Sequence, residues 1–139
     1  MSGPGPGPAR TAEGLRLASR IIALLMAIAT AWLLLKAADL SGGSALFLVL
    51  LLGWCVSPYA LVALALRRPW KSTEAVLVAF ATTVAVAGFA LYVYFVAFLV
   101  HPDAQGGLVF LFIPLWQWIG ALVGLGVAWL VERRPGRAT

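Results

Sequence analysis

Four long apolar runs fill nearly the whole chain, and the charged residues between them fall overwhelmingly in alternate gaps. A soluble domain carries roughly 25% charged residues. Here 63% of the 139 residues are hydrophobic and 11% charged, a surface that no soluble fold of this size can bury. A bilayer core about 30 Å thick is crossed by about 20 apolar residues in a helix, so four crossings and their connections account for the chain. The pattern predicts an all-α polytopic membrane protein, a four-transmembrane-helix bundle of up-down-up-down order with the bilayer as its first partner.

The organisation reads as follows. Residues 1–12 are rich in Gly and Pro with little to bury, and are expected to be a disordered tail. A single transmembrane domain follows over 13–134, its helix starting near Glu13 or Gly14, and 135–139 form a second tail. The spans are placed at about 17–38, 45–66, 75–100 and 108–131. The first resembles a signal peptide in the length of its uninterrupted apolar stretch, but bulky Leu35 or charged Lys36 occupies the position where cleavage needs a small residue, so a retained span is expected. Gly42 and Gly43 mark the first turn, with Ser41 or Ser44 available as a cap. Pro69 ends the second span, and Ser72 or Thr73 caps the third. Pro102 and Asp103 suit the last turn. Short connections predict that consecutive helices pack as neighbours.

Orientation follows from the basic residues. Arg10, Arg16, Arg20, Arg67, Arg68, Lys71, Arg133, Arg134 and Arg137 fall on one side and only Lys36 on the other. Under the positive-inside rule both termini are cytoplasmic, and the residue usage suggests a bacterial inner membrane. The same segregation explains the net charge of +5 without nucleic acid. The second and fourth spans also share a tryptophan eight residues after their first leucine, Trp54 and Trp116, and both lead into Arg-Arg-Pro, which suggests a weak parallel repeat.

No catalytic, cofactor or metal motif is recognisable, and no full charge lies near the middle of a span. Proton-coupled transport and intramembrane hydrolysis normally require an ionisable group there. Cys55, the only cysteine, is expected to be a small buried hydrophobe. His101 and Asp103 supply two metal-ligand types but no third. The candidate polar packing or pocket residues are Gln117, Ser57, Trp54, Tyr92, Tyr94 and Trp116. Gln117 is the most costly to bury and shares a face with Gly124 and Ala128; the seam Gly120, Gly124, Ala128 has the spacing that lets helix backbones approach. Pro58 and Pro114 are expected to kink their helices by opening the carbonyls of Trp54 and Phe110. Ser57, Tyr59, Gln117 or water are available to those carbonyls.

These features predict a non-enzymatic membrane protein acting by association, as an accessory or regulatory subunit or a homo-oligomer. The alternative is a small oligomeric channel, pore or permease lined by Ser57, Thr83, Tyr92 and Gln117. An enzyme acting on lipids through His101 and Asp103 is a third reading.

Overall fold

In the computed structural model, which describes residues 5, 7–38, 44–101 and 106–134, the chain is all-helical, with no strand among the described residues. Helix α1 covers Pro8–Ala37, α2 Ala45–Ala65, α3 Thr73–Phe95 and α4 Val109–Glu132. A π-helical turn, Val96–Val100, prolongs α3, and a 3-10 turn, Gly106–Leu108, leads into α4. All four helices are long and apolar enough to cross a membrane.

Helix α1 begins at Pro8, ahead of the start expected near Glu13. Proline suits the first helical position, because its fixed φ is already helical and its missing N–H would have had no partner there. The Gly7 carbonyl accepts from Arg10 N at 2.9 Å and Thr11 N at 3.2 Å, and Ala12 and Leu15 pack against the core, so tertiary contact supports these early turns. Ser44 occupies the N-cap of α2 without a side-chain bond, whereas Ser72 caps α3 by accepting from Ala75 N at 3.3 Å. Ser41, Gly42, Gly43, Pro102 and Asp103 lie outside the described residues. At the end of α3 the ladder widens to π geometry, and His101 N donates to Val96 O at 2.9 Å.

The packing differs in one respect from the expected order of neighbours. Helix α1 packs on α2 and α3, and α4 also packs on α2 and α3, while α2 and α3, consecutive in the chain, sit on a diagonal. Residues 66–72 can bridge that diagonal. Neighbouring helix axes are about 8–10 Å apart, giving a diagonal of about 13 Å, and seven extended residues reach about 20 Å. The bridge is held from both sides. Arg16 of α1 donates to Trp70 O, Arg20 donates to Leu66 O at 3.1 Å, and the Glu132 carboxylate of α4 accepts from Lys71 N at 2.6 Å and Ser72 N at 2.9 Å. Trp70 folds inward beneath the bridge, its Nε1 donating to Ala65 O at 3.0 Å. Three of the basic clusters read from the sequence thus gather at one end of the bundle.

The core is narrow. Ala75, Ala79, Ala87 and Ala90 of α3 are buried along with Ala121 and Ala128 of α4, and large apolar side chains such as Leu24, Leu50, Phe95 and Leu122 face outward. Gly124 is where close approach is obligatory: a Cβ there would lie 2.8 Å from Thr82 Cβ and nearer still to its Oγ1 and Cγ2. Gly124 therefore serves contact between α3 and α4 within one copy of the chain, and Ala128 of the same seam is fully buried.

Candidate functional site

The middle of the bundle contains a polar cluster to which every helix contributes. It comprises Thr30 of α1, Cys55 and Tyr59 of α2, Tyr94 of α3 and Gln117 of α4, all buried. Each sits on its helix's inward stripe: Met26, Thr30 and Leu34 on α1; Cys55, Tyr59 and Val62 on α2; Ala87, Ala90 and Tyr94 on α3; Ile113, Gln117 and Ala121 on α4. Three- and four-residue steps keep these side chains on one face.

Gln117 organises the cluster. It is 1% exposed, and its Nε2 donates to Tyr59 Oη at 2.8 Å and to Val86 O at 3.3 Å. Thr30 Oγ1 donates to the same tyrosine oxygen at 3.4 Å. One amide thereby links α4 to α2 and α3, and the tyrosine extends the link to α1. Interhelical bonds of this kind in membrane bundles contribute on the order of 0.6–2 kcal/mol. Two buried atoms in the cluster have no partner, Tyr94 Oη and Gln117 Oε1.

Beside this cluster the two prolines are joined. Pro58 removes the donor that Trp54 O would have received, and Ser57 Oγ supplies it at 2.7 Å. The same Ser57 Oγ accepts from Trp118 Nε1 of α4 at 2.8 Å. Pro114 likewise opens Phe110 O, and Cys55 Sγ donates to it from α2 at 3.2 Å. Trp54 Nε1 donates to the next carbonyl, Leu111 O, at 3.1 Å. Both helices run on through their prolines because each broken ladder receives a substitute donor, one from its own helix and one from its neighbour. Rings of Tyr94, Phe98 and Phe110, with centroids 5.6–6.4 Å apart, cover the cluster on the side of the π turn.

The structure divides the residues singled out from the sequence. Gln117 and Tyr94 both belong to the buried cluster; Trp54 and Ser57 belong to the proline contacts. Tyr92 is 69% exposed and Trp116 59%, both on the outer surface. Helical geometry explains this separation: residues two apart, such as Tyr92 and Tyr94, point about 200° apart. Trp54 and Trp116, equivalent in the suggested repeat, therefore make unlike contacts. Gly120 also departs from its seam, since a Cβ there would meet only Val86 Cγ2 at 3.8 Å. It opens into an outward groove of about 900 Å³ between α3 and α4, whose walls include Ala81, Ala85, Phe89, Trp116 and Val123.

Cys55 and Tyr59 were not among the candidate polar residues, although their four-residue spacing on one face of α2 was available as a signal. Cys55 is buried as expected of a small hydrophobe, yet its thiol also donates a hydrogen bond. Among the described residues no three His, Cys, Asp or Glu side chains gather as metal ligands. No protein-family model, curated protein or solved structure matches the chain.

Proposed function

We propose that this chain is a small integral membrane protein that acts by association, as an accessory or regulatory subunit or as a homo-oligomer, without catalysing a reaction. The observation that carries this reading is the contrast between a neutral, closely packed interior and an outward groove floored by small residues. Thr82 and Thr83 donate to their own helix at Val78 O and Ala79 O, at 2.8 and 2.9 Å, and Gln117, at the inner edge of the groove with Thr82, joins helices together. Outside, Gly120, Ala81 and Ala85 leave space for the side chains of another helix, as small residues do where membrane helices associate.

In this reading the helices run up-down-up-down across a bacterial inner membrane with both termini cytoplasmic. The order of contacts supports it. Residue numbers fall on one helix as they rise on the other for Thr30 with Tyr59 and Arg20 with Leu66, which suits antiparallel α1 and α2. They rise together for Cys55 with Phe110 and Ser57 with Trp118, which suits parallel α2 and α4. The gathering of Arg16, Arg20, Lys71 and Arg133 at one end supports the assignment of that end to the cytoplasm.

Disulfide crosslinking of Val123→Cys in native membranes, in a Cys55→Ser background, tests the proposal. The expected product is a dimer or a defined heteromeric adduct from the groove position, and none from an outward cysteine on α1 such as Leu24→Cys. A monomer in lipid with no adduct at Val123→Cys overturns association through this face. Solute flux in liposomes that exceeds empty vesicles and falls in Gln117→Leu would replace it with the channel reading.

A further inference from the structure

We propose that the surface where α1 meets residues 66–70 binds the headgroup of an anionic phospholipid, with Arg20, Arg67 and Arg68 as its donors and Arg16 adding charge. The bridge between α2 and α3 divides the basic end into two unlike sides. Toward α4, Glu132 is turned onto Lys71 N and Ser72 N, so a carboxylate sits among the basic residues. Toward α1, the arginines are held by carbonyls instead: Arg16 donates to Trp70 O and Arg20 to Leu66 O, each through Nη2. A carbonyl fixes a guanidinium without neutralising it. Because a guanidinium has five N–H donors, one such bond leaves most of the fork that recognises phosphate unused.

The four arginines occupy one small region. Arg16 and Arg20 are a turn apart on the same face of α1, and both reach the stretch that contains Arg67 and Arg68. The Arg68 guanidinium lies over the buried Trp70 ring, 5.8 Å from its centroid. Arg20, Arg67 and Arg68 are exposed and Arg16 is half-buried. Glu13 is the only acidic residue of α1, and α2 and the bridge carry none. Positive-inside sorting accounts for basic residues at this end, but not for their being anchored on carbonyls apart from the carboxylate of Glu132. Apolar surface continues from the charges, since Leu24 lies one turn beyond Arg20 on α1 and Leu64 one turn before Arg68, both exposed. In a membrane these side chains face acyl chains while the arginines reach headgroup depth. A phosphodiester with no cation of its own complements such a cluster, whereas a zwitterionic headgroup brings an ammonium group toward the guanidinium groups.

This inference rests on the membrane-spanning reading above and not on association through the groove. Native mass spectrometry of the full chain, offered equal amounts of phosphatidylglycerol and phosphatidylethanolamine with identical acyl chains, compares the two headgroups. A basic residue beside an anionic lipid contributes about fivefold in affinity, so the wild type should retain phosphatidylglycerol about tenfold better, and Arg67→Gln and Arg68→Gln should each lower that ratio by about threefold or more. Neither exposed side chain makes a hydrogen bond among the described residues, so both variants should fold. Arg134→Gln, at the same end of the bundle but beyond α4, should leave the ratio unchanged. Equal retention of the two lipids by the wild type overturns the proposal. An equal loss in Arg134→Gln also overturns it, in favour of diffuse attraction to the whole basic end, and displacement of the lipid by inorganic phosphate at matching concentration overturns it in favour of a free-anion site. Release of the protein from membranes by alkaline carbonate would instead overturn the membrane-spanning reading itself, which keeps the two failures distinct.

Discussion

The bundle solves the same problem, binding four helices through polar groups, in two different ways at its middle and at its basic end. In the middle the side-chain partners are all neutral: an amide, a tyrosine, a threonine, a serine, a tryptophan and a thiol. At the end they are charged, with Arg16 and Arg20 donating into the bridge between α2 and α3 and Glu132 receiving two of its backbone N–H groups. In the membrane-spanning reading proposed above, dielectric environment accounts for the difference. A full charge in hydrocarbon carries a desolvation cost that a few hydrogen bonds do not offset, whereas at an interface the head group stays hydrated while its stem lies on the helix. The middle therefore obtains cohesion from neutral bonds, and the end obtains it from charge-assisted ones.

Exchanging the two chemistries tests the comparison most severely. Gln117→Glu keeps the shape of the side chain but places a carboxylate where Nε2 now donates twice. We expect a loss of about 3 kcal/mol at neutral pH, the cost of an acidic side chain at mid-membrane depth, measured by steric trapping in bilayers. Stability equal to the wild type would mean that the cluster is well hydrated and that the contrast between the two regions does not hold. At the basic end, Glu132→Ala removes the acceptor of Lys71 N and Ser72 N. These bonds are only partly screened by the fold, so water replaces much of what is lost and the expected cost is about 2 kcal/mol or less. The bridge should then exchange its amide hydrogens faster while Tyr59 and Gln117 are unaffected.

The helices were legible in the sequence because their cause is local. A run of apolar residues bounded by Arg, Pro or Gly specifies a helix of membrane-crossing length wherever its neighbours lie, and the expected boundaries of α2 and α4 differ from the observed ones by a residue. The burial of Gln117 was legible for a similar reason, since its face continues into Gly124 and Ala128. The partners were not. That α2 and α3 lie on a diagonal depends on Arg16, Arg20 and Glu132 reaching the bridge from distant segments, and nothing in the local sequence of 66–72 announces it. Tyr92 and Tyr94 look alike in composition and depth, and only the direction of the α3 core face separates them. Pro8 was read with the Gly/Pro-rich tail, although the same residue type at a first helical position favours a helix start.

Cys55 sharpens the comparison at its smallest scale, because the sequence gives it an apolar role and the structure gives it a donor as well. Its Sγ lies 3.2 Å from Phe110 O, the carbonyl that Pro114 deprives of its helical partner. If neutral donors hold the middle together, Cys55→Val should cost about 1 kcal/mol despite its greater hydrophobicity, since it leaves a buried carbonyl unpaired. Cys55→Ser restores a donor of similar size, and its stability should lie within about 0.5 kcal/mol of the wild type, the small remainder reflecting a shorter bond and a lost sulfur contact. The order wild type, then Ser, then Val is decisive, because hydrophobic packing alone gives the reverse order for the two variants. Equilibrium unfolding of the three proteins in one lipid composition measures it, and Val more stable than Ser would return Cys55 to a purely apolar role.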